Sequence, residues 1–170
     1  MIIDLITLEN SPSEFDFELT PEEIDLDGEY AKLKTAARVK GNLTRHIAQT
    51  DVAGTIWADL EIECTRCLEK IDKTQEIAFK AAFVTPENYT QAKEAELKAE
   101  DLDVSILEGN EIDMTELVRE QILLNLPEQI FCREDCKGLC EKCGANRNLI
   151  DCNCEEKEID PRWAALKNLK

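Results

Sequence analysis

An α+β fold is expected from this sequence: an antiparallel β-sheet able to close toward a barrel, one packed helix, and a cysteine-rich C-terminal tail. Three observations carry that expectation. Two long runs alternate apolar and polar residues on either side of Cys64-Thr-Arg-Cys67. One segment with helical spacing opens at Asp113 and stops before Pro127. Six of the eight cysteines are crowded into residues 132–154.

Taken in order, residues 2–8 (Ile-Ile-Asp-Leu-Ile-Thr-Leu) suit a strand or a short helical stretch equally. Phe15, Phe17 and Leu19 alternate with Asp16, Glu18 and Thr20 and predict a half-buried strand. Pro21-Glu-Glu opens a turn, and Val39, Gly41 and Leu43 continue an alternation that starts near Thr35. From Val52 to Cys64 the even positions are small or apolar and the odd ones mostly polar, with Trp57 the exception. Ile71, Ile77, Phe79, Ala81 and Phe83 repeat the pattern, so the two runs predict an antiparallel hairpin with the cysteine pair at its tip. Gly54 is a candidate bulge, because the first run is long for one straight strand.

Residues 86–103 are dense in Glu, Lys and Ala and predict a linker or a solvated helix. Asp113 can cap the next helix, with Glu116 in the capping-box position. Leu117, Val118, Gln121, Ile122, Leu124 and Leu126 supply its broad apolar side. Asp160-Pro161 opens a short final helix through Trp163, Leu166 and Leu169. The expected organisation is a β domain over residues 1–85, an acidic linker over 86–112, and a helix, cysteine segment and final helix over 113–170.

The chain has 170 residues, enough for a substantial core, and carries 37 acids against 20 bases for a net charge of −17. Phosphate should repel such a chain except at local basic spots, and basic proteins are its natural electrostatic partners. Ribosomal proteins are the obvious basic class in a cytosol. Met1-Ile-Ile-Asp-Leu sets an acid where a secretory signal needs a basic segment, and no apolar run approaches membrane-spanning length. A cytoplasmic protein without membrane association is expected, its oligomeric state left open.

In that compartment close cysteine pairs bind metal or do redox work more often than they form structural disulfides. Cys64 and Cys67, with Cys132, Cys136, Cys140, Cys143, Cys152 and Cys154, form four close pairs. Thiolates at such spacings can turn toward one point, as tetrahedral Zn²⁺ requires, and Gly144 frees the backbone to wrap behind Cys143. One or two zinc ions are therefore expected. Two arrangements remain open. Cys64/Cys67 could join two tail cysteines and leave four for a second site, or Cys140/Cys143 and Cys152/Cys154 could form a complete set apart from the hairpin.

Four sulfurs leave no position for an activated water, so the metal reads as structural. The single histidine, His46, has no ligand-type neighbours in sequence. The rival is a thiol–disulfide protein using Cys64 and Cys67, with Arg66 lowering a thiol pKa. Against it, both flanks read as strands, whereas a redox pair usually opens a helix. Phosphate loops, nucleophile elbows and HExxH motifs are missing from the sequence. For nucleic acid, Arg133, Lys137, Lys142 and Arg147 are balanced by Glu134, Asp135, Glu141 and Asp151, and Arg66, Lys70 and Lys73 near the tip could add a small patch.

Several stretches form a recognisable combination: Phe15-Asp-Phe-Glu-Leu19, Val39-Lys-Gly-Asn-Leu43, Cys64-Thr-Arg-Cys67-Leu68, Leu117-Val-Arg-Glu120, Cys132-Arg-Glu-Asp-Cys136-Lys-Gly-Leu-Cys140, Cys143-Gly-Ala-Asn146, Cys152, Cys154 and Asp160-Pro-Arg-Trp-Ala-Ala-Leu166. Together they resemble the YceD family, named for large ribosomal RNA subunit accumulation, over nearly the whole chain. The resemblance implies a non-enzymatic role in accumulating or processing large-subunit rRNA, with precursor rRNA, a basic ribosomal protein, or both as partners. Family members differ in whether they carry the tail cysteines, so zinc would stabilise this version without being its activity.

Overall fold

The computed structural model describes residues 1–6, 12–26, 30–47, 49–87, 89, 104–107 and 109–154. The dominant feature is the predicted hairpin. Strands β5 (Gln49–Glu63) and β6 (Lys70–Val84) pair antiparallel along their full lengths, from Gln49 opposite Val84 to Glu63 opposite Lys70. The even positions of β5 that predicted an apolar face are the buried ones: Val52, Ile56, Ala58, Leu60 and Ile62. Fully burying a side chain such as Ile56 or Leu60 contributes about 2 kcal/mol.

Among the described residues six further strands accompany the hairpin, five of them β1 (Ile2–Asp4), β2 (Ser13–Leu19), β3 (Ala31–Leu33), β4 (Ala37–Arg45) and β7 (Val104–Ile106). The main sheet runs β2-β4-β5-β6-β7, with β3 on the edge of β5 beyond the end of β4. All pairings in it are antiparallel except β6 with β7, which is parallel. A separate two-stranded ladder joins β1 to β8 (Glu111–Asp113), so of the strand and helix left open for residues 2–8 the strand is formed over residues 2–4.

The barrel expectation is corrected. Among the described residues no ladder joins β2 to β7, and the sheet is open. Its apolar face is covered instead by helix α1 (Met114–Leu124) and by Leu5, Ile24, Leu26, Leu107, Ile112 and Ile130, all in one buried cluster. An apolar face covered by other segments has no need to curl onto itself.

Gly54 is not a bulge. The ladder passes through it without a slip, Gly54 standing opposite Gly41 on β4 and Phe79 on β6. Phe15 of β2 stands opposite Gly41, so Phe15, Gly41, Gly54 and Phe79 form one row across four strands. A Cβ on Gly54 would lie 2.5 Å from the Lys40 carbonyl oxygen and 3.1 Å from the Phe79 ring. The two glycines make room for two aromatic rings.

Helix α1 begins as predicted. The Asp113 carboxylate accepts from the backbone N–H of Thr115 (2.9 Å) and Glu116 (3.3 Å). The Glu116 side chain pairs with Arg119 at 3.0 Å. Met114, Leu117, Val118 and Ile122 are the buried stripe, whereas Leu124 is 76% exposed and drops out of it. Met114 was missed because it stands directly after the cap. At the other end Asn125 folds back, its N–H and side-chain amide both donating to the Gln121 carbonyl.

The linker or helix expected over 86–103 falls, apart from residues 86, 87 and 89, outside the described residues, and so does the final helix from Asp160. No helix among the described residues is long and apolar enough to cross a membrane.

Candidate metal centres

At the hairpin tip, Cys64 N–H donates to Glu69 O and Leu68 N–H returns to Cys64 O, closing a tight knuckle. Leu68 has φ +60°, a conformation that an L side chain adopts at a cost. The segment following α1 docks here. Thr65 donates twice to the Ile130 carbonyl, from its backbone N–H (2.8 Å) and its hydroxyl (3.0 Å). The Arg66 guanidinium lies 4.0 Å over the Phe131 ring and donates to Cys136 O, while Arg66 O accepts from Leu139 N–H.

This docking gathers four sulfurs from segments far apart in sequence. Cys64 Sγ is 3.8 Å from Cys136 Sγ, and Cys67 Sγ is 3.6 Å from Cys132 Sγ. The four atoms lie within 4.8 Å of one another. With metal–sulfur bonds of about 2.3 Å, sulfurs at the corners of a tetrahedron sit about 3.8 Å apart. The spacing thus fits a tetrahedral ion, and the group could hold one. Cys64, Cys67 and Cys136 are buried, with Ile71, Leu139 and Cys132 packed around them.

The second group takes the other four cysteines, Cys140, Cys143, Cys152 and Cys154, also with sulfurs within 4.8 Å of one another. Cys140 N–H donates to Ala145 O, and Gly144 N–H donates to Cys140 O. Gly144 has φ +74°, the backbone freedom expected of it. This group is shallower, with Cys143 and Cys154 exposed. Of the two arrangements left open by spacing, the one formed fastens the hairpin tip to Cys132 and Cys136 and leaves a complete second set.

Asn148, which lies in the chain between Cys143 and Cys152, reaches the first group. Its side-chain amide donates to Cys136 Sγ at 3.3 Å, and its oxygen accepts from Lys137 N–H at 2.8 Å. Sequence reasoning missed Asn148, since an Asn among Asn146, Arg147 and Asn148 carries no local signal for a sulfur contact.

The thiols divide within each group. Burial opposes charge on Cys64, yet N–H donors from Arg66, Cys67 and Cys132 together pull it down to about 6. Burial and the neighbouring sulfurs push Cys132 up to about 12. In the second group the N–H groups of Cys143 and Lys142 bring Cys140 down to about 6, while Cys143 and Cys140 push Cys154 up to about 12. Four thiolates in one small volume repel, and a divalent cation at their centre would remove that repulsion.

Of the candidate basic spots, Arg66 is engaged by Phe131 and Cys136 O, and Arg133 lies 3.4 Å from Asp135. Lys70 pairs with Glu61 at 2.6 Å. His46 pairs with Asp51 at 3.1 Å and belongs to neither cysteine group.

The family model described as large ribosomal RNA subunit accumulation protein YceD matches residues 52–170. A Bacillus subtilis protein, described as uncharacterized protein YlbN, is 35% identical over 133 residues, covering 78% of this chain and 73% of the relative. An uncharacterized protein of Mycobacterium tuberculosis is 33% identical over 115 residues, covering 68% of this chain but only 53% of the relative. An Arabidopsis thaliana protein, large ribosomal RNA subunit accumulation protein YCED homolog 1, chloroplastic, is 38% identical over 63 residues, covering 37% of this chain and 20% of the relative. No solved structure matches the chain.

Proposed function

This chain belongs to the YceD family, and from that membership we propose that it is a non-enzymatic factor supporting accumulation or processing of the large-subunit ribosomal RNA. The observation that carries the reading is the family match over residues 52–170, which takes in all but the first three residues of the hairpin and both cysteine groups. Zinc fits both groups: four sulfurs, no other donor type, and spacings that suit a tetrahedral ion. When bound, it would supply charge neutralisation and a rigid crosslink, leaving no open position for a substrate.

The protein's own residues do the rest. Thr65 and Arg66 hold the tail against the hairpin and Asn148 ties the tail to itself at Cys136, so residues 64–67 and 130–150 would act as one rigid end. The β part over residues 1–85 would serve as the body, joined through 86–112 to the zinc-bearing segment. A net charge of −17 favours a basic ribosomal protein as one partner, with precursor rRNA meeting the zinc end as the other. Such an adaptor would work in the cytoplasm.

A thiol–disulfide activity at Cys64 and Cys67 is the lesser reading, because 0% and 5% exposure leaves no access for an exchanging partner. Metal analysis with thiol titration separates the two: about two zinc ions per chain and no fast-reacting thiol fits the adaptor. The main test is co-sedimentation with size-selected ribosomal particles, together with rRNA levels after depletion. Association with large-subunit precursors and a fall in large-subunit rRNA is expected. Absence from every precursor with unchanged rRNA would overturn the reading.

A further inference from the structure

The open sheet ends in β2, and this edge is unusual in how it is left. All seven residues Ser13–Leu19 pair with β4 on the inner side, from Ser13 opposite Leu43 to Leu19 opposite Ala37. On the outer side, among the described residues, no strand follows and no hydrogen bond leaves Ser13–Leu19 in that direction. A row of free N–H and C=O groups is a template for another strand. At the other end β7 covers only Ala82–Val84 of β6, and the rest of that edge carries Lys70, Lys73 and Lys80.

Proteins usually protect such an edge with lysine, proline or a bulge. Here the strand reads Ser-Glu-Phe-Asp-Phe-Glu-Leu, with three acids and no base. Glu14, Asp16 and Glu18 project together on the exposed face, and Phe15 and Phe17 lie half-buried on the other, their rings 5.7 Å apart. Arg38 grips Asp16 with two bonds, at 3.1 and 2.9 Å, which leaves Glu14 and Glu18 without an ion pair among the described residues.

Those acids decide the occupant. A second copy of β2 laid antiparallel about Asp16 would set Glu14 against Glu18 and Asp16 against Asp16, acid upon acid, so self-pairing is penalised. A strand with Lys or Arg on one face and apolar residues on the other would find Glu14 and Glu18 opposite its charges and extend the wall begun by Phe15 and Phe17. Phosphate-bearing RNA matches neither the acids nor the free backbone. We infer that the outer edge of β2 is a docking site for a basic, extended peptide segment of a protein partner, which adds to the sheet as a further strand. The inference rests on the adaptor reading above and names the chemistry of its protein partner.

The test uses the full-length protein and an eight-residue peptide of alternating lysine and valine. Calorimetry reads affinity, and hydrogen exchange reads protection of the Ser13–Leu19 amides. The peptide should bind and slow exchange at alternate amides of this strand. The same peptide N-methylated at every residue keeps its charge but loses its donors, and should bind at least about tenfold more weakly, as should the wild-type peptide to Glu14→Lys/Glu18→Lys protein. Both glutamates are exposed, so the variant should keep its fold, which circular dichroism checks. No binding, equal binding of the methylated peptide, or protection elsewhere would overturn the inference. Ribosomal co-sedimentation separates it from the reading beneath. Equal co-sedimentation of wild type and variant sinks the edge strand alone. Failure of the wild type to co-sediment counts against the adaptor, and the peptide measurements then still decide on β2.

Discussion

Cys67 Sγ and Cys132 Sγ lie 3.6 Å apart although 65 positions separate them in the chain. That contact joins the tip of the longest hairpin to the segment that leaves α1. It makes the first cysteine group a meeting of distant segments and the second, within residues 140–154, a local one. The two should therefore fail differently.

Replacing Cys132 with Ser should lower bound zinc from two ions per chain toward one and expose the tip. Exchange should quicken at Thr65 N–H, which donates to Ile130 O, and the melting temperature should fall. Cys154→Ser should also cost one ion, but quicken exchange only at the amides of Cys140 and Arg147, leaving Thr65 protected. Metal analysis and hydrogen exchange on the two variants check this. Global unfolding of the Cys154 variant would contradict it.

Gly41→Ala should cost about 3 kcal/mol, the upper end for overpacking. The new Cβ would meet the Ala53 carbonyl oxygen, the Phe15 ring at 2.6 Å and Gly54 Cα at 2.8 Å, and two of those three are backbone. Denaturant unfolding measures the loss. Gly109→Ala is the control for space, since nothing lies within 4 Å there; its φ of +85° still brings some strain.

Asp113→Ala removes the acceptor for Thr115 and Glu116 N–H and should destabilise the protein by about 1 kcal/mol. Asp113→Asn, which keeps an acceptor oxygen, should recover most of it. Urea unfolding midpoints compare the two.

Asp59 accepts from the Thr74 hydroxyl at 2.6 Å and the Thr35 hydroxyl at 3.2 Å, and these bonds hold its carboxyl below the ordinary range. A depressed pKa adds stability above the unfolded-state value, and that stability is lost as pH falls through the folded value. Asp59→Asn should accordingly melt lower than wild type at neutral pH, with the gap closing as acid protonates Asp59. Thermal melts from pH 7 to pH 3 test the trend.

What could be read from residue order follows a physical divide. The hairpin was readable because Val52–Cys64 and Ile71–Phe83 carry enough alternations to define a face. Ala31–Leu33 and Val104–Ile106 are three residues each, too short for a period to emerge, and their pairing is decided by β5 and β6. Gly54 could be flagged but not explained, because its reason is Gly41 on another strand. The cysteines declared themselves, whereas their partition depends on Thr65 meeting Ile130 and on Arg66 meeting Phe131, contacts that spacing does not contain.

The separation of Cys67 from Cys132 also sets an order of events during synthesis. The hairpin leaves the translating ribosome with its two thiols unmatched. At about 5–20 residues per second, their counterparts are added about 3–13 seconds later. Until then the growing chain offers an incomplete ligand set, open to stray ions or oxidation. The first group can take a metal ion only after Cys132 and Cys136 have been added, long after both strands of the hairpin have been made.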